Sequence, residues 1–361
     1  MNQYLKKIID IIITMILLIN RRVKRNENGA IIAIISLHKL GDTVFTIPAI
    51  KNIISYHSGH RIILICYRET TGIYRLIFNK LEYVILERKN FYFEGRIGGF
   101  DARKALKGTN AETIYDITGA ITSASLLYRC NAKVIIGMNE LRYKSLYDIY
   151  SPISSGPHMS DIYLNAIKSA VNIDQEYNNI ELGLSSLSGY IMIHPYAGWK
   201  AKEWNFKKYL NLAEKLSAQR EVKIVIPKGY LNEKDLKLLR IKFTIVETIN
   251  ITELIECIKG CFFFIGNDSG PGHIANLLGK PIFTIYGPSN PSFHQPKYGL
   301  SKYIAKEIVC SPKMNEKLCF TNGGRKGCPS FECMNQLSVD EVFHEVSNFI
   351  IRLLKENNAG N

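Results

Sequence analysis

The 361-residue sequence predicts an α/β protein built from two doubly wound domains, and three observations predict it. Short, near-continuous apolar runs alternate with longer helical patterns, the arrangement of strands buried on both faces of a parallel sheet. The alternation stops and restarts near the middle of the chain. Its length, with 46% hydrophobic residues, is also more than one ordinary core takes up, so two globular halves are expected.

The first series of strands comprises IIAIIS (31–36), RIILIC (61–66), YVIL (83–86), TIYDI (113–117) and KVIIGM (133–138). The second comprises YIMIHP (190–195), VKIVIP (222–227), FTIV (243–246), CFFFI (261–265) and PIFTI (281–285), with helices such as 206–218 and 251–259 between them. A polar stretch without strong periodicity separates the two. The expected organisation is a basic amphipathic N-terminal segment (1–28), a Rossmann-like domain (29–172), a linker (173–189), a second Rossmann-like domain (190–336) and a C-terminal helix and tail (337–361). The amphipathic pattern LSVDEVFHEVSNFIIRLLKE (337–356) is expected to pack across the domains. Two such domains would face each other across a cleft where ligands collect at the carboxyl ends of the strands.

At the N-terminus, KKIIDIIITMILLINRRVKR (6–25) joins an apolar stretch to basic flanks on both sides. It is shorter than the roughly 20 apolar residues that span a bilayer, and Asp10 and Thr14 interrupt it. A signal sequence would continue into a small-residue cleavage site, whereas this one runs into Arg21, Arg22, Lys24 and Arg25. Two readings remain: a helix lying in the interface of an anionic membrane, and a helix packed on the body of the protein.

The formal net charge of +14 is spread along the chain without a single Arg/Lys block, which favours acidic partners, whether phosphorylated glycolipids, an anionic membrane surface or nucleic acid. Cys66, Cys130, Cys257 and Cys261 fall inside predicted strands or helices and read as small core residues, not a disulfide framework, which points to a reducing cytoplasm.

The chemistry is concentrated in loops that follow strands. GNDSGPGH (266–273) lies directly behind CFFFI, with Pro271 fitting the first position of a short helix that Gly279 and Pro281 stop. The N–H groups near Gly270, Gly272 and His273, together with the helix dipole, suit a phosphate. Asp268 is better placed to accept hydrogen bonds from hydroxyls. In IHPYAGWKAKEWNFKKYLNLAEKL (193–216), Asn205 is a plausible N-cap and Trp204 with Tyr209 can form a hydrophobic staple, whereas Lys202 carries no such structural duty. It can neutralise a leaving diphosphate or simply be a solvated lysine. In ISLHKLGDTVFTIPAIKNI (35–53), Asp42 sits at the mouth of a helix, either as a plain N-cap or as a base that takes the proton of an attacking hydroxyl.

The segments LGDTVFTIPAI, HPYAGWKAKEWNFKKY and GNDSGPGHIANLLGKPIFTIYGPSNP resemble, in order, the three characteristic blocks of the family 9 glycosyltransferases, the ADP-heptose:lipopolysaccharide heptosyltransferases. The resemblance covers about residues 30–350. It implies a GT-B fold, with the acceptor on the N-terminal domain, ADP-heptose mostly on the C-terminal one, and inversion by direct displacement. Carried over by position, it implies that Asp42 is the base, that Lys202 lies near the diphosphate, and that Asp268, Ser269, Gly270 and His273 form the donor loop. Glu233 corresponds more loosely to an acidic residue contacting the nucleoside. The resemblance also implies a cytoplasmic enzyme at the inner face of the membrane, acting on a lipopolysaccharide core or similar glycan. Ala197 and Gly198 depart from it, standing where some members carry hydroxyl residues.

No essential cofactor is implied, because backbone N–H groups and Lys202 can stabilise leaving ADP. Cys310, Cys319, Cys328 and Cys333 form a separate cluster that can bind zinc or iron, although eight, eight and four intervening residues lack the close pairs usual in structural zinc sites. Relatives in the autotransporter heptosyltransferase group are associated with an iron-binding cysteine set.

Other classes compete. The near alternatives are a GT-B transferase with a different nucleotide-sugar donor and one with a protein acceptor. A nucleotide-dependent oxidoreductase would share the sheets, yet HKLGD stands where GxGxxG is required. A non-catalytic membrane or nucleic-acid binder would explain the charge but not the three loop blocks, so no nucleic-acid partner is expected.

Overall fold

The computed structural model describes residues 31–93, 97–107, 109–127, 132–139, 141–153, 158–171, 188–319, 328 and 330–358, with the single positions 8, 11, 12 and 15. Cys130 and nearly all of the expected linker lie outside the described residues. The chain divides into two compact units, Met1–Asn179 and Ile180–Asn361.

In the first unit, the strands in chain order are β1 (Ile31–Ser36), β2 (Arg61–Tyr67), β3 (Glu82–Leu86), β4 (Phe91–Tyr92), β5 (Ile97–Gly98), β6 (Ala111–Asp116), β7 (Ala132–Met138) and β8 (Ile149–Ser151). Six of them make one parallel sheet in the order β3-β2-β1-β6-β7-β8, while β4 and β5 form a separate antiparallel ribbon. The second unit repeats the plan. Its strands are β9 (Tyr190–His194), β10 (Val222–Pro227), β11 (Thr244–Thr248), β12 (Cys261–Asn267), β13 (Ile282–Tyr286) and β14 (Ser301–Ala305), and they pair in parallel as β11-β10-β9-β12-β13-β14. Each order reverses beside its first strand, between β1 and β6 and between β9 and β12. There the flanking crossovers diverge and leave a crevice beyond the carboxyl ends.

The apolar runs explain which strands lie where. β12 is buried along its whole length and β1 nearly so, as befits central strands covered by helices on both faces. The edges β3 and β14 are only partly buried. β8, with three residues, and β14, with one polar face, have no continuous apolar run, so the periodicity did not reveal them.

The C-terminal helix, Val339–Asn358, buries Val342, Val346, Phe349, Ile350 and Leu353 in the same core as Ile191, Ile193, Phe263 and Ile285. Its apolar stripe, expected to bridge the domains, is thus used by the second unit's core. Trp204 is buried there too, with Tyr209 against it edge to face at 5.0 Å, the contact of a hydrophobic staple.

Cys66 and Cys261 are buried, Cys257 is partly so, and all three are free thiols. At the N-terminus the described residues Ile8, Ile11, Ile12 and Met15 are helical, and each is about half exposed. Their spacing places them on one face of a helix. Among the described residues, no helix is long and apolar enough to cross a membrane.

One backbone position at the first crevice is sterically fixed. Gly119 has φ +57°, and a Cβ there would sit 1.6 Å from the Met138 carbonyl oxygen. Gly119→Ala is therefore expected to cost more than about 2 kcal/mol, since neither the backbone angle nor the neighbouring strand end can yield cheaply. Urea denaturation of the full chain measures it.

Candidate active site

Both crevices carry polar groups, and each is built from the loops that leave the two central strands. In the second unit the organiser is Asn267, the last residue of β12, which is fully buried. Its Oδ1 accepts from the Trp204 backbone N–H at 2.9 Å and from the Tyr209 hydroxyl at 2.8 Å, while its Nδ2 donates to the Pro195 carbonyl at 2.7 Å. One side chain thereby ties the start and the end of the loop that follows β9. Trp204 Nε1 donates to the Leu337 carbonyl at 3.1 Å, and Asn205 caps the next helix through the Lys207 N–H at 2.9 Å.

That loop carries the 3-10 turn Lys200–Lys202. The Lys202 ammonium forms an ion pair with the Asp268 carboxylate, and the two side chains are only 12% and 4% exposed. It also lies 4.8 Å from the centre of the Trp199 ring. The expectation that Lys202 has no structural duty is thus corrected: it compensates a buried carboxylate. On the other side of that carboxylate, His273 Nε2 stands 3.8 Å from Asp268 Oδ1. Burial alone would push the Asp268 carboxyl up, but the Lys202 charge, with His273 and His294 nearby, holds it well below the usual carboxylate range.

The helix behind this cluster runs Gly270–Leu277, with Ser269 as N-cap and Pro271 in its second position, one later than the sequence indicated. The Ser269 hydroxyl oxygen is buried and makes no cap bond or other hydrogen bond among the described residues. The Gly272 N–H, counted as free from the sequence, turns back to the Ser269 carbonyl at 3.1 Å. Gly270 lies at the helix start, where N–H groups lack intrahelical partners. Tyr286, ending β13, is fully buried close enough to Asp268 for that charge, together with burial, to raise its phenol well above the ordinary value. Glu233 opens the exposed first turn of the helix Glu233–Arg240, six residues beyond the end of β10.

In the first unit, Asp42 lies in the first turn of the helix Leu40–Tyr56, whose N-cap position belongs to Lys39 without a side-chain bond. Asp42 is therefore not the cap. The approach to this helix is clamped from β6: Leu37 N donates to Thr118 Oγ1 at 2.8 Å, and His38 Nε2 lies 3.3 Å from the Ile117 carbonyl. The clamp is held in turn by buried Asp116, which accepts from the Thr118 and Gly119 N–H groups at 3.1 and 3.0 Å and from the Tyr147 hydroxyl at 2.9 Å. Burial pushes the Asp116 carboxyl up to about 6, against the opposing pull of those bonds and of one from Ser123. The His38 ring packs edge to face on Tyr163 at 5.4 Å. Burial lowers its pKa, and the Asp42 charge acts in the opposite sense.

The last cluster is also in the second unit. Cys310, Cys319, Cys328 and Cys333 line one cavity with Ala201 and Gly287, so the fold brings together thiols that are well separated in sequence. Burial pushes the Cys333 thiol up to about 11. Among the described residues, no three His, Cys, Asp or Glu side chains are disposed to hold a metal ion.

A family model described as glycosyltransferase family 9 (heptosyltransferase) matches residues 100–322. The chain belongs to glycosyltransferase family 9. It is 24% identical over 328 residues to lipooligosaccharide heptosyltransferase 2 of Campylobacter jejuni, covering 85% of this chain and 95% of that one. Among solved structures it is similar to Escherichia coli heptosyltransferase WaaC with ADP, at a TM-score of 0.65 and 17% identity over 88% of this chain and 99% of the other. It is similar also to E. coli ADP-heptose lps heptosyltransferase II, at 0.62 and 14% over 89% and 98%. The fold is accordingly GT-B, and the protein is a glycosyltransferase.

Within this transferase, the residues singled out from the sequence separate into two groups. Lys202, Asp268, Ser269, Gly270 and His273 are brought together at the second unit's crevice, and Asp42 stands beside the first unit's. Asn267, His38, Asp116 and His294 were missed. Asn267 lay inside the quoted motif, but nothing in a sequence distinguishes a loop-tying amide from a turn former.

Asn267→Ala should strand two donors and one acceptor in a dry environment, lowering stability by about 3 kcal/mol. The transition is best followed by Trp fluorescence, because Trp204 is one of the stranded partners.

Proposed function

We propose that this glycosyltransferase moves a heptosyl group from ADP-heptose to a sugar hydroxyl of a lipopolysaccharide core or a similar bacterial surface glycan, with inversion. The observation that carries the reading is the buried Lys202–Asp268–His273 cluster beside the uncapped start of the helix Gly270–Leu277. The printed functions of the relatives and solved structures supply the donor and acceptor classes.

In the proposed step the acceptor oxygen bonds to the anomeric carbon while the bond from that carbon to the diphosphate oxygen breaks, its electron pair leaving with ADP. The hydroxyl proton passes to the Asp42 carboxylate. Lys202 exchanges part of its contact with Asp268 for the diphosphate, and the Ser269 hydroxyl and the Gly270 N–H donate to phosphate oxygens. Asp268, relieved of part of its ion pair, accepts from the heptose hydroxyls, with His273 holding its second oxygen. Glu233 faces the nucleoside. No divalent metal is required, because the charge that develops on ADP is met by these donors.

The enzyme works at the inner face of the cytoplasmic membrane, and the exposed apolar stripe Ile8, Ile11, Ile12 and Met15, set between basic flanks, supports peripheral contact with anionic lipid. The four cysteines, which share a cavity but are not disposed as a ligand set among the described residues, remain the candidate site for zinc or iron. A stoichiometric ion in the purified protein that Cys319→Ser removes would establish it, and metal-free, fully active protein would dismiss it.

Incubation with ADP-heptose and a core oligosaccharide should add one heptose by mass spectrometry. Transfer from another nucleotide sugar only, or to protein only, would displace the donor or the acceptor assignment. Asp42→Asn should keep donor binding while cutting turnover about 100-fold or more. Lys202→Ala should weaken donor affinity at least tenfold and, by leaving Asp268 buried without its cation, lower stability by about 3 kcal/mol. An Asp42→Asn enzyme with normal turnover would remove the base.

A further inference from the structure

The chain has two tryptophans, and the fold uses them differently. Trp204 lies in the second unit's core, whereas Trp199 is partly exposed in the loop that follows β9. The Lys202 ammonium stands over the Trp199 ring, 4.8 Å from its centre. A cation within about 6 Å of an aromatic face is attracted by the negative charge of that face, and indole attracts it most strongly. The proposed transfer step gives this contact no role.

The local sequence produces the contact. Lys200–Lys202 is a single 3-10 turn with Trp199 at its N-cap, closed by the Lys202 N–H on the Trp199 carbonyl at 3.0 Å. With three residues to the turn, Trp199 and Lys202 return to the same side of the loop. The carboxylate next in sequence is engaged elsewhere: Glu203, whose side chain is 7% exposed, accepts from the Lys200 ammonium at 2.8 Å and from the Ala197 N–H at 3.3 Å. Lys202 thus reaches across to Asp268 while keeping its own tryptophan on another side. An ammonium is a compact charge on a flexible four-carbon stem, so one partner alone fixes it poorly. The ring supplies a second contact, and it does so without taking the strong hydrogen bonds that a carboxylate or a phosphate takes.

We propose that Trp199 is a positioning residue for donor binding: its ring holds the Lys202 ammonium in place while the donor diphosphate takes over part of the Asp268 contact. The proposal rests on the reading that Lys202 meets the diphosphate. As that exchange proceeds, the ammonium gives up hydrogen bonding to Asp268 but keeps the ring. A diphosphate seated on the ammonium also displaces water from around it, and a cation–π contact strengthens when it is desolvated. The ring therefore stabilises the bound state more than the free one, and its effect passes entirely through Lys202.

The test measures ADP affinity by calorimetry for the full chain and for Trp199→Leu, Trp199→Phe, Lys202→Ala and the double variant Trp199→Leu/Lys202→Ala. Trp199→Leu should bind ADP about fivefold more weakly than the parent, with Trp199→Phe between the two. In the Lys202→Ala background the Trp199→Leu loss should vanish, because the two residues act as one unit. A second readout is one that packing does not move. Fluorine withdraws negative charge from the indole face at nearly constant size, so replacing tryptophan by its mono-, di- and trifluorinated forms should lower ADP affinity step by step. Trp199→Phe, labelled at Trp204 alone, should show no such decline. A Trp199→Leu protein that binds like the parent, or an affinity indifferent to fluorination, overturns the proposal. So does a Trp199→Leu loss that persists in the double variant, because the ring then meets the ligand directly. Should Lys202→Ala prove too unstable to assay, the fluorine series in the parent decides alone. ADP affinity unaltered by Lys202→Ala removes the diphosphate reading itself, and the role of Trp199 with it.

Discussion

A carboxylate that is 4% exposed imposes conditions on everything near it. Without a counter-charge, Asp268 would take up a proton or force its strand end open, because transfer of a lone anion out of water costs far more than a loop can supply. Lys202 meets the condition, but only if the whole loop after β9 lies over the end of β12. Asn267 enforces this by bonding both ends of that loop, and Trp204 fixes the far end in the second unit's core. The ion pair, the amide and the indole are thus one device. In the proposed reaction its electrostatic half would exchange, since a diphosphate offers the ammonium more negative charge than one carboxylate does.

The first unit uses the same strand order and solves the corresponding problem differently. Asp116 ends β6, the strand equivalent to β12, and is fully buried like its counterpart beyond β12. Its partners are two backbone N–H groups and hydroxyls, all neutral, so burial wins and the carboxyl rises to about 6, whereas a cation holds Asp268 down. One position serves architecture: Asp116 shapes the loop that clamps Leu37 and His38, and through them the turn leading to Asp42. The other keeps its charge, paired with Lys202. Two crevices of the same topology therefore carry different chemistry, as expected when function resides in the loops and not in the sheets.

Much of this could be read in advance, for physical reasons that also mark the boundary. Strands covered on both faces must be apolar throughout, so β1, β2, β9, β10, β12 and β13 announced themselves as uninterrupted runs. Edge strands need only one apolar face, and β8 and β14 therefore escaped notice. Gly-rich turns at strand ends are visible because few residue types fit them, which is why Asp268, Ser269 and Gly270 were found together. What stayed hidden depends on distant pairing. Lys202 could be placed at the diphosphate or in solvent, but its ion pair with a carboxylate 66 residues away was invisible, and Asp116 stood only as part of a strand run. Asp42 was legible in position, but only the structure places Lys39 at the cap.

The cysteine loop extends the argument from the site to its support. Gly287 and Pro288, following β13, line the four-thiol cavity together with Ala201, the residue preceding Lys202. The same stretch is stitched to the loop by Cys319 N donating to the Pro288 carbonyl at 2.7 Å and by Asn290, whose Nδ2 donates to the carbonyls of Lys313 and Glu316 at 3.1 and 3.0 Å. On the far side of the cavity, Met334 packs so closely on Gly287 that a Cβ there would approach its sulfur to 2.9 Å. The Lys202 turn thus rests on a layer whose packing the thiols help to set. A side chain at Gly287 would meet Met334 on one side and, at 3.3 Å, the Ala201 carbonyl on the other, one residue before Lys202, so glycine there keeps the cysteine layer and the Lys202 turn in close contact.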